Sequence, residues 1–193
     1  MSPRFVLSLG ANMPGPWGPP LVTLRRAILT GLPEAGFEVI EMSSFYETAP
    51  IAVTAARRGP RYVNAVVVAR ARYAPARALS LLKRMERAAG RRPRGAGAPR
   101  PLDIDIVGFD GRVTGWPPPP RRPQLVLPHP EMHRRAFVLV PLAEVWPAWH
   151  HPCLGVSALT LLRRLPRRPG DAARLLASSQ VSCQEDAKGP KAG

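Results

Sequence analysis

Apolar residues form four short strand-like stretches along this chain and recur at helical spacing in two longer ones. Arg4–Leu9 is almost continuously apolar and is closed by Gly10, Ala11 and Asn12, which predicts a strand followed by a turn. Leu21, Leu24, Ile28 and Leu32 fall three or four residues apart and predict a helix, with Gly31 and Pro33 as its stop. Phe37–Tyr46 alternates well enough for a second strand, and the β-branched run Tyr62–Ala71 predicts a third. Pro75 opens a second helix at a position where its missing N–H costs nothing. That helix extends to about Ala89 and is expected to bury Leu79, Leu82, Met85 and Ala89. Leu102–Phe109 predicts a fourth strand, apolar apart from two aspartates. Further on, Arg134–Val145 is partly helical in pattern and Leu154–Leu165 adds one more helix.

The order β-α-β-β-α-β predicts an α+β fold with a ferredoxin-like core, an antiparallel sheet and additional C-terminal elements. Such a sheet carries its helices on one face and leaves the other to build a site. With 193 residues, one domain over 1–165 is expected, followed by a disordered tail over 166–193 that ends KGPKAG. The longest apolar runs, such as Ala136–Ala143, fall short of the roughly 20 residues a membrane-spanning helix needs. The short apolar N-terminus is broken by Gly10 and Asn12, so it reads as a strand of a cytoplasmic protein and not as a secretory leader. Cys153 and Cys183 have no CxxC neighbour and are expected to be free thiols.

Charge adds a partner class. Lys and Arg number 28 against 13 acidic residues, a net +15. A basic chain favours an anionic partner, either nucleic acid or a phosphorylated small molecule. Abundant Ala, Arg, Pro and Gly also give this balance by composition alone, so the charge does not by itself define a site.

Asp103 and Asp105 are the sharpest candidates. Side chains at i and i+2 of a strand leave the same face about 6.5–7 Å apart. Two carboxylates in apolar surroundings must be protonated, paired with Arg, or bridged by a cation. A hard oxygen pair suits Mg²⁺, which fills its shell with waters and substrate phosphates. Arg100 stands just before this strand, and Arg91, Arg92 and Arg94 occupy the Gly/Pro-rich loop before it, where guanidinium forks match phosphate oxygens. Glu86 lies late in the second helix, and His129 is held between two prolines, a stiff setting for a hydrogen-bond donor to phosphate. Zinc is a poor reading of His129 and His133, because no third nitrogen or sulfur ligand stands at a telling spacing. Asn64 interrupts an apolar strand, where a buried amide needs partners and can match the edge of a heterocycle.

These stretches, SLGAN near the start, SSFYETAPI at Ser43–Ile51, YVNAV at Tyr62–Val66, Glu86–Arg91, PRPLDIDIV at Pro99–Val107 and LPHPEMHRRAFVLVPLAE at Leu127–Glu144, resemble in order the motifs of the 6-hydroxymethyl-7,8-dihydropterin pyrophosphokinases. The resemblance covers about Phe5 to Pro147. It implies diphosphate transfer from ATP to the pterin, with AMP leaving, in folate biosynthesis. It implies two Mg²⁺ ions on Asp103 and Asp105, and ATP contacts from Glu86, Arg91, Arg100, His129 and Arg135. It further implies a pterin pocket lined by Thr48, Ile51, Tyr62, Asn64 and Phe137, with Phe137 stacked on the ring. Arg91, Arg100 and Asp105 are the catalytic candidates on that basis. The expected partners are these two small molecules, with neither nucleic acid nor membrane, and the expected state is a monomer. Two departures stand out: Gly97 where relatives often carry Trp, in a loop one residue shorter, and a proline-rich insert at Trp116–Pro123.

Two rival classes remain to be weighed. A basic ferredoxin-like RNA-binding module would display stacking aromatics on its central strands, yet aromatics make up only 6% of the chain and carboxylates occupy the working strand. A relative that kept the fold but serves only as a binding subunit is opposed by the intact DxD pair.

Overall fold

The computed structural model describes residues 2–50, 59–92, 99–117, 125–166 and 173–176. Ile51, Gly97, Cys183 and most of the proline-rich insert lie outside the described residues. The chain starts with strand β1 (Arg4–Ala11), whose odd positions Phe5, Leu7, Leu9 and Ala11 are all fully buried. Helix α1 (Pro20–Arg26) continues through a π-helical stretch, Ala27–Gly31, into the short α2 (Leu32–Glu34). Pattern reasoning stops this helix at Gly31 and Pro33, but the helical path runs through both. The wider π turn, in which Leu32 N–H donates to Ala27 O five residues back, lets the chain accept a proline with no N–H to give. Gly36, at φ +82°, then ends it: Phe37 N–H donates to Leu32 O and Gly36 N–H to Pro33 O, a Schellman closure.

The predicted strand over Phe37–Tyr46 is split into β2 (Glu38–Met42) and β3 (Tyr46–Thr48). Both lie against β4 (Tyr62–Arg70). Helix α3 (Pro75–Ala88) and β5 (Asp103–Phe109) complete the expected order. Helices α4 (Ala136–Val145) and α5 (Ala158–Arg164) follow, and a two-residue strand β6 (Arg174–Leu175) pairs with β3. That last strand falls within the stretch that composition assigns to a disordered tail. Leu176 N–H donates to Phe45 O, and Leu176 packs against the core.

The sheet runs β5-β1-β4-β3-β6, with β2 also on β4, and every pair is antiparallel. This is the ferredoxin-like arrangement. One face buries Phe5, Leu7, Leu9, Ala65, Val67 and Ile104 beneath Leu24 and Ile28 of the first helical stretch and Leu82 and Met85 of α3. The other face is partly covered as well: Val6, Val66 and Val107 meet Val138, Leu139 and Leu142 of α4 and Leu161 of α5. The expectation of helices on a single face is therefore corrected. Alternation along each strand explains the site that remains. On β1 the even positions pass from apolar Val6 to Ser8 and Gly10, and on β4 from Val66 to Asn64 and Tyr62. The covering helices thus end where the second face turns polar. Among the described residues no helix is long and apolar enough to cross a membrane.

Candidate active site

Register brings the polar positions together. Asp105 stands opposite Ser8 on β1, Asp103 opposite Gly10, and Gly10 in turn opposite Asn64 on β4. Both aspartates share one face of β5, as the i, i+2 spacing requires, and both line one cavity of about 230 Å³. Thr48, Tyr62, Asn64, Phe137, Arg100 and Arg135 line the same cavity. Glycine at position 10 leaves room for the Asn64 amide: a Cβ there would lie 3.2 Å from Asn64 Oδ1 and press the side chain aside by a few tenths of an ångström. Asn64 is 3% exposed, and its amide Nδ2 donates to Thr48 Oγ1 at 2.9 Å, which fixes the amide plane toward the cavity. Arg135 lies over the Phe137 ring, 5.6 Å from its centroid.

The acidic end of the cavity is held by arginines. Helix α3 ends in a second Schellman closure, with Gly90 at φ +94°, Gly90 N–H on Arg87 O and Arg91 N–H on Glu86 O. That turn folds Arg91 back over Glu86, and its guanidinium bonds both Glu86 and Asp103. Arg100 Nη1 reaches Asp103 Oδ2 at 2.6 Å. Burial would raise the Asp103 carboxyl, but Arg100, Arg91 and Lys83 together hold it below the usual carboxylate range. Asp105 has no ion pair among the described residues. His129 is half-buried, and burial, reinforced by Arg135 and opposed by Asp105 and Glu131, keeps its imidazole neutral to lower pH. Glu131 N–H donates to His129 Nδ1 at 3.2 Å, so the neutral ring carries its proton on Nε2.

Glu86 has a structural task as well. It is 1% exposed, and its Oε1 accepts from Ile104 N–H at 2.7 Å and from Lys83 Nζ at 2.7 Å. Burial outweighs these donors, and its carboxyl is pushed above the ordinary value. A second cavity, of about 430 Å³, adjoins this cluster and is bordered by Lys83, Glu86, Arg87, Arg91, Arg92 and Arg100. Arg100 lines both cavities.

Three site residues escaped sequence reasoning. Lys83 sits one turn before Glu86, a spacing that signals an ion pair but not its use. Asn12, in the SLGAN stretch, accepts from Arg100 N–H at 2.8 Å and so anchors the entry to β5. Ser8, which opens the same SLGAN stretch and alternates with apolar neighbours, lines the cavity.

The family of 7,8-dihydro-6-hydroxymethylpterin-pyrophosphokinases matches residues 6–147. This chain belongs to that family. Among its relatives, the 2-amino-4-hydroxy-6-hydroxymethyldihydropteridine pyrophosphokinase of Synechocystis sp. is 33% identical over 160 residues, covering 83% of this chain and 75% of the relative. The enzyme of the same name from Porphyromonas gingivalis is 34% identical over 149 residues, 76% of this chain and 92% of the relative. In fold, wild-type Plasmodium falciparum HPPK-DHPS superposes with a TM-score of 0.62 at 14% identity, covering 84% of this chain and 42% of that one. In this member of the pyrophosphokinase family, Glu86, Arg91, Arg100, Asp103, Asp105, His129 and Arg135 surround the acidic end of the site. Thr48, Tyr62, Asn64 and Phe137 share the cavity with Asp103, Asp105, Arg100 and Arg135.

Proposed function

We propose that this chain transfers a diphosphate from ATP to 6-hydroxymethyl-7,8-dihydropterin and releases AMP. The observation that carries this reading is the single cavity with two kinds of lining. Its lining combines a carboxylate pair, with Arg100 and Arg91 on Asp103, and an amide edge with two aromatic rings. A flat, amide-bearing heterocycle fits the Asn64, Tyr62 and Phe137 end, and its hydroxymethyl group then points toward Asp103 and Asp105. The hydroxymethyl oxygen attacks the β-phosphorus, the bond from that phosphorus to the oxygen of AMP breaks, and the hydroxyl proton leaves to solvent. Such a transfer needs alignment and charge neutralisation more than covalent help.

Asp103 and Asp105 fit Mg²⁺, an all-oxygen donor pair on one strand face opening on the phosphate end. The family resemblance sets two ions there. Bound together with phosphate oxygens, the metal would supply charge neutralisation and orient the β-phosphoryl group. Arg91 and Arg100, which pair with Asp103 in this structure, are suited to exchange that carboxylate for phosphate oxygens. His129, through Nε2–H, and Arg135 complete the basic wall. The sheet face that an RNA-binding module would display is covered by α4 and α5 and carries carboxylates at its open end, which disfavours that rival.

Product analysis tests the reading. Incubation with ATP, Mg²⁺ and the pterin should yield AMP and pterin diphosphate in equal amounts. Formation of ADP would overturn diphosphate transfer, and ATP binding without AMP would leave only a binding subunit.

A further inference from the structure

Glu144 stands in the last turn of α4, away from the cavity, and three donors converge on its carboxylate. Ser44 Oγ–H donates to Oε1 at 2.8 Å, Tyr46 Oη–H to Oε2 at 2.9 Å, and Ser44 N–H lies 3.1 Å from each oxygen. Burial, and then the Glu144 hydrogen bond and charge, push the Tyr46 phenol up to about 12, so it remains a donor throughout the working range. These contacts join α4 to the corner between β2 and β3. Both joined elements also wall the cavity. Phe137 is seven residues before Glu144 on α4, two turns along the same helix face, and lines the cavity. Two residues after Tyr46 on β3, Thr48 accepts from Asn64 Nδ2. Tyr46 itself lies opposite Asn64 in the sheet. Between Ser43 and Val66 the corner is already tied to β4, by Ser43 N–H on Val66 O and Val66 N–H on Ser43 Oγ. Nothing but the Glu144 cluster fastens the same corner to α4 by hydrogen bonds among the described residues.

We infer that Glu144 is a positioning residue that sets the gap between the Phe137 wall and the Thr48–Asn64 wall, and so tunes recognition of the flat heterocyclic substrate. The inference rests on the pterin reading of the cavity. Its chemistry predicts a graded response. Glutamine keeps one acceptor oxygen for Ser44 and offers an amide toward Tyr46, whose hydroxyl can turn to accept. Alanine keeps nothing. The groups assigned to the nucleotide stand on α3, on β5 and around His129, which Glu144 does not touch; Arg135, at the start of α4, is the one exception, so the effect should fall mainly on the pterin.

The test is calorimetric titration of the pterin, and separately of a non-hydrolysable ATP analogue with Mg²⁺, into the full chain and its variants. Glu144→Ala should weaken pterin binding about 5- to 20-fold, the range expected for losing partly exposed hydrogen bonds to a charged group, while the analogue's affinity stays within about twofold. Glu144→Gln should recover much of the loss. Tyr46→Phe, which leaves Glu144 and the ring in place, should weaken the pterin alone and by less, and it serves if the alanine variant does not fold. Unchanged pterin affinity in Glu144→Ala, or a parallel loss of pterin and analogue, would overturn the inference. A wild-type chain that binds no pterin would instead overturn the substrate reading on which it stands.

Discussion

Glu86 separates two explanations of how the acidic end is held, ion pairing or hydrogen bonding to the strand. Replacing it with alanine leaves Ile104 N–H buried without its acceptor, which costs about 1–3 kcal/mol. The vacated volume and the lost bonds to Lys83 and Arg91 add to this, although Lys83 is one-third exposed and recovers water, and Arg91 keeps Asp103. About 3 kcal/mol in total is expected, which in a chain of this size lowers Tm by roughly 6–12 °C. Glutamine keeps the volume and an oxygen for Ile104 N–H; it loses the charge and the ion pair to Arg91, which keeps Asp103 as its partner. Because burial outweighs the cations at Glu86, that charge contributes little net stability. Glu86→Gln should therefore cost about 1 kcal/mol or less. The pH dependence follows with a definite sign. A carboxyl raised in the folded state favours folding below its unfolded pKa, and that advantage disappears as pH rises through the folded value. The stability advantage of wild type over Glu86→Gln should then shrink from pH 4 toward pH 7. Urea unfolding with a thermal melt at each pH is the assay. A glutamine variant as damaged as the alanine variant, or an advantage that grows with pH, would refute the reasoning.

The remaining predictions concern the pocket and the buried histidines. Phe137→Ala and Asn64→Ala should each weaken pterin binding by about 1–3 kcal/mol, through lost stacking and a lost polar edge, and leave ATP-analogue binding nearly unchanged. Calorimetry showing the reverse would mean that the two ends of the site are swapped. His151 is fully buried, with Trp116, Trp149 and His133 around it, and burial together with His133 depresses its pKa from 6.5 to about 4. A depressed histidine stabilises the fold above its unfolded pKa, and that contribution is lost as pH falls from 6.5 toward 4. His133 is shifted the same way by burial and Arg134, so melting temperature should drop across this window. A flat profile would contradict the neutral pair.

Much of this site is legible in the sequence because strand periodicity and motif order point to the same residues. The i, i+2 aspartates, Asn64 inside a β-branched strand and Pro75 at a helix start all act through local rules. Other features depend on contacts between distant segments. Asn12 holds Arg100 across 88 positions, and Glu144 meets Ser44 across 100, distances that no local window senses. Strand β6 is only two residues long and lies in polar sequence; its place comes from the free edge of β3 and from Leu176 on the core. The turn after α3 is an intermediate case. Gly90 is a recognisable helix stop, but its consequence, Arg91 folded over Glu86 and Asp103, appears only once the strand is beside it.

The central claim is that Asp105 serves the phosphate end of a diphosphate-transfer site and is not a structural carboxylate. The direct measurement is the initial rate of pterin-dependent AMP formation at saturating Mg²⁺ in wild type and Asp105→Asn, with Tm recorded for both. Asp105 has no ion pair to lose among the described residues, so the variant should melt within about 2–4 °C of wild type, the shift that accompanies 1 kcal/mol. Its turnover should fall by at least about a hundredfold, the scale expected when a metal ligand on the transferring group is removed. Near-native AMP formation by Asp105→Asn would contradict the account.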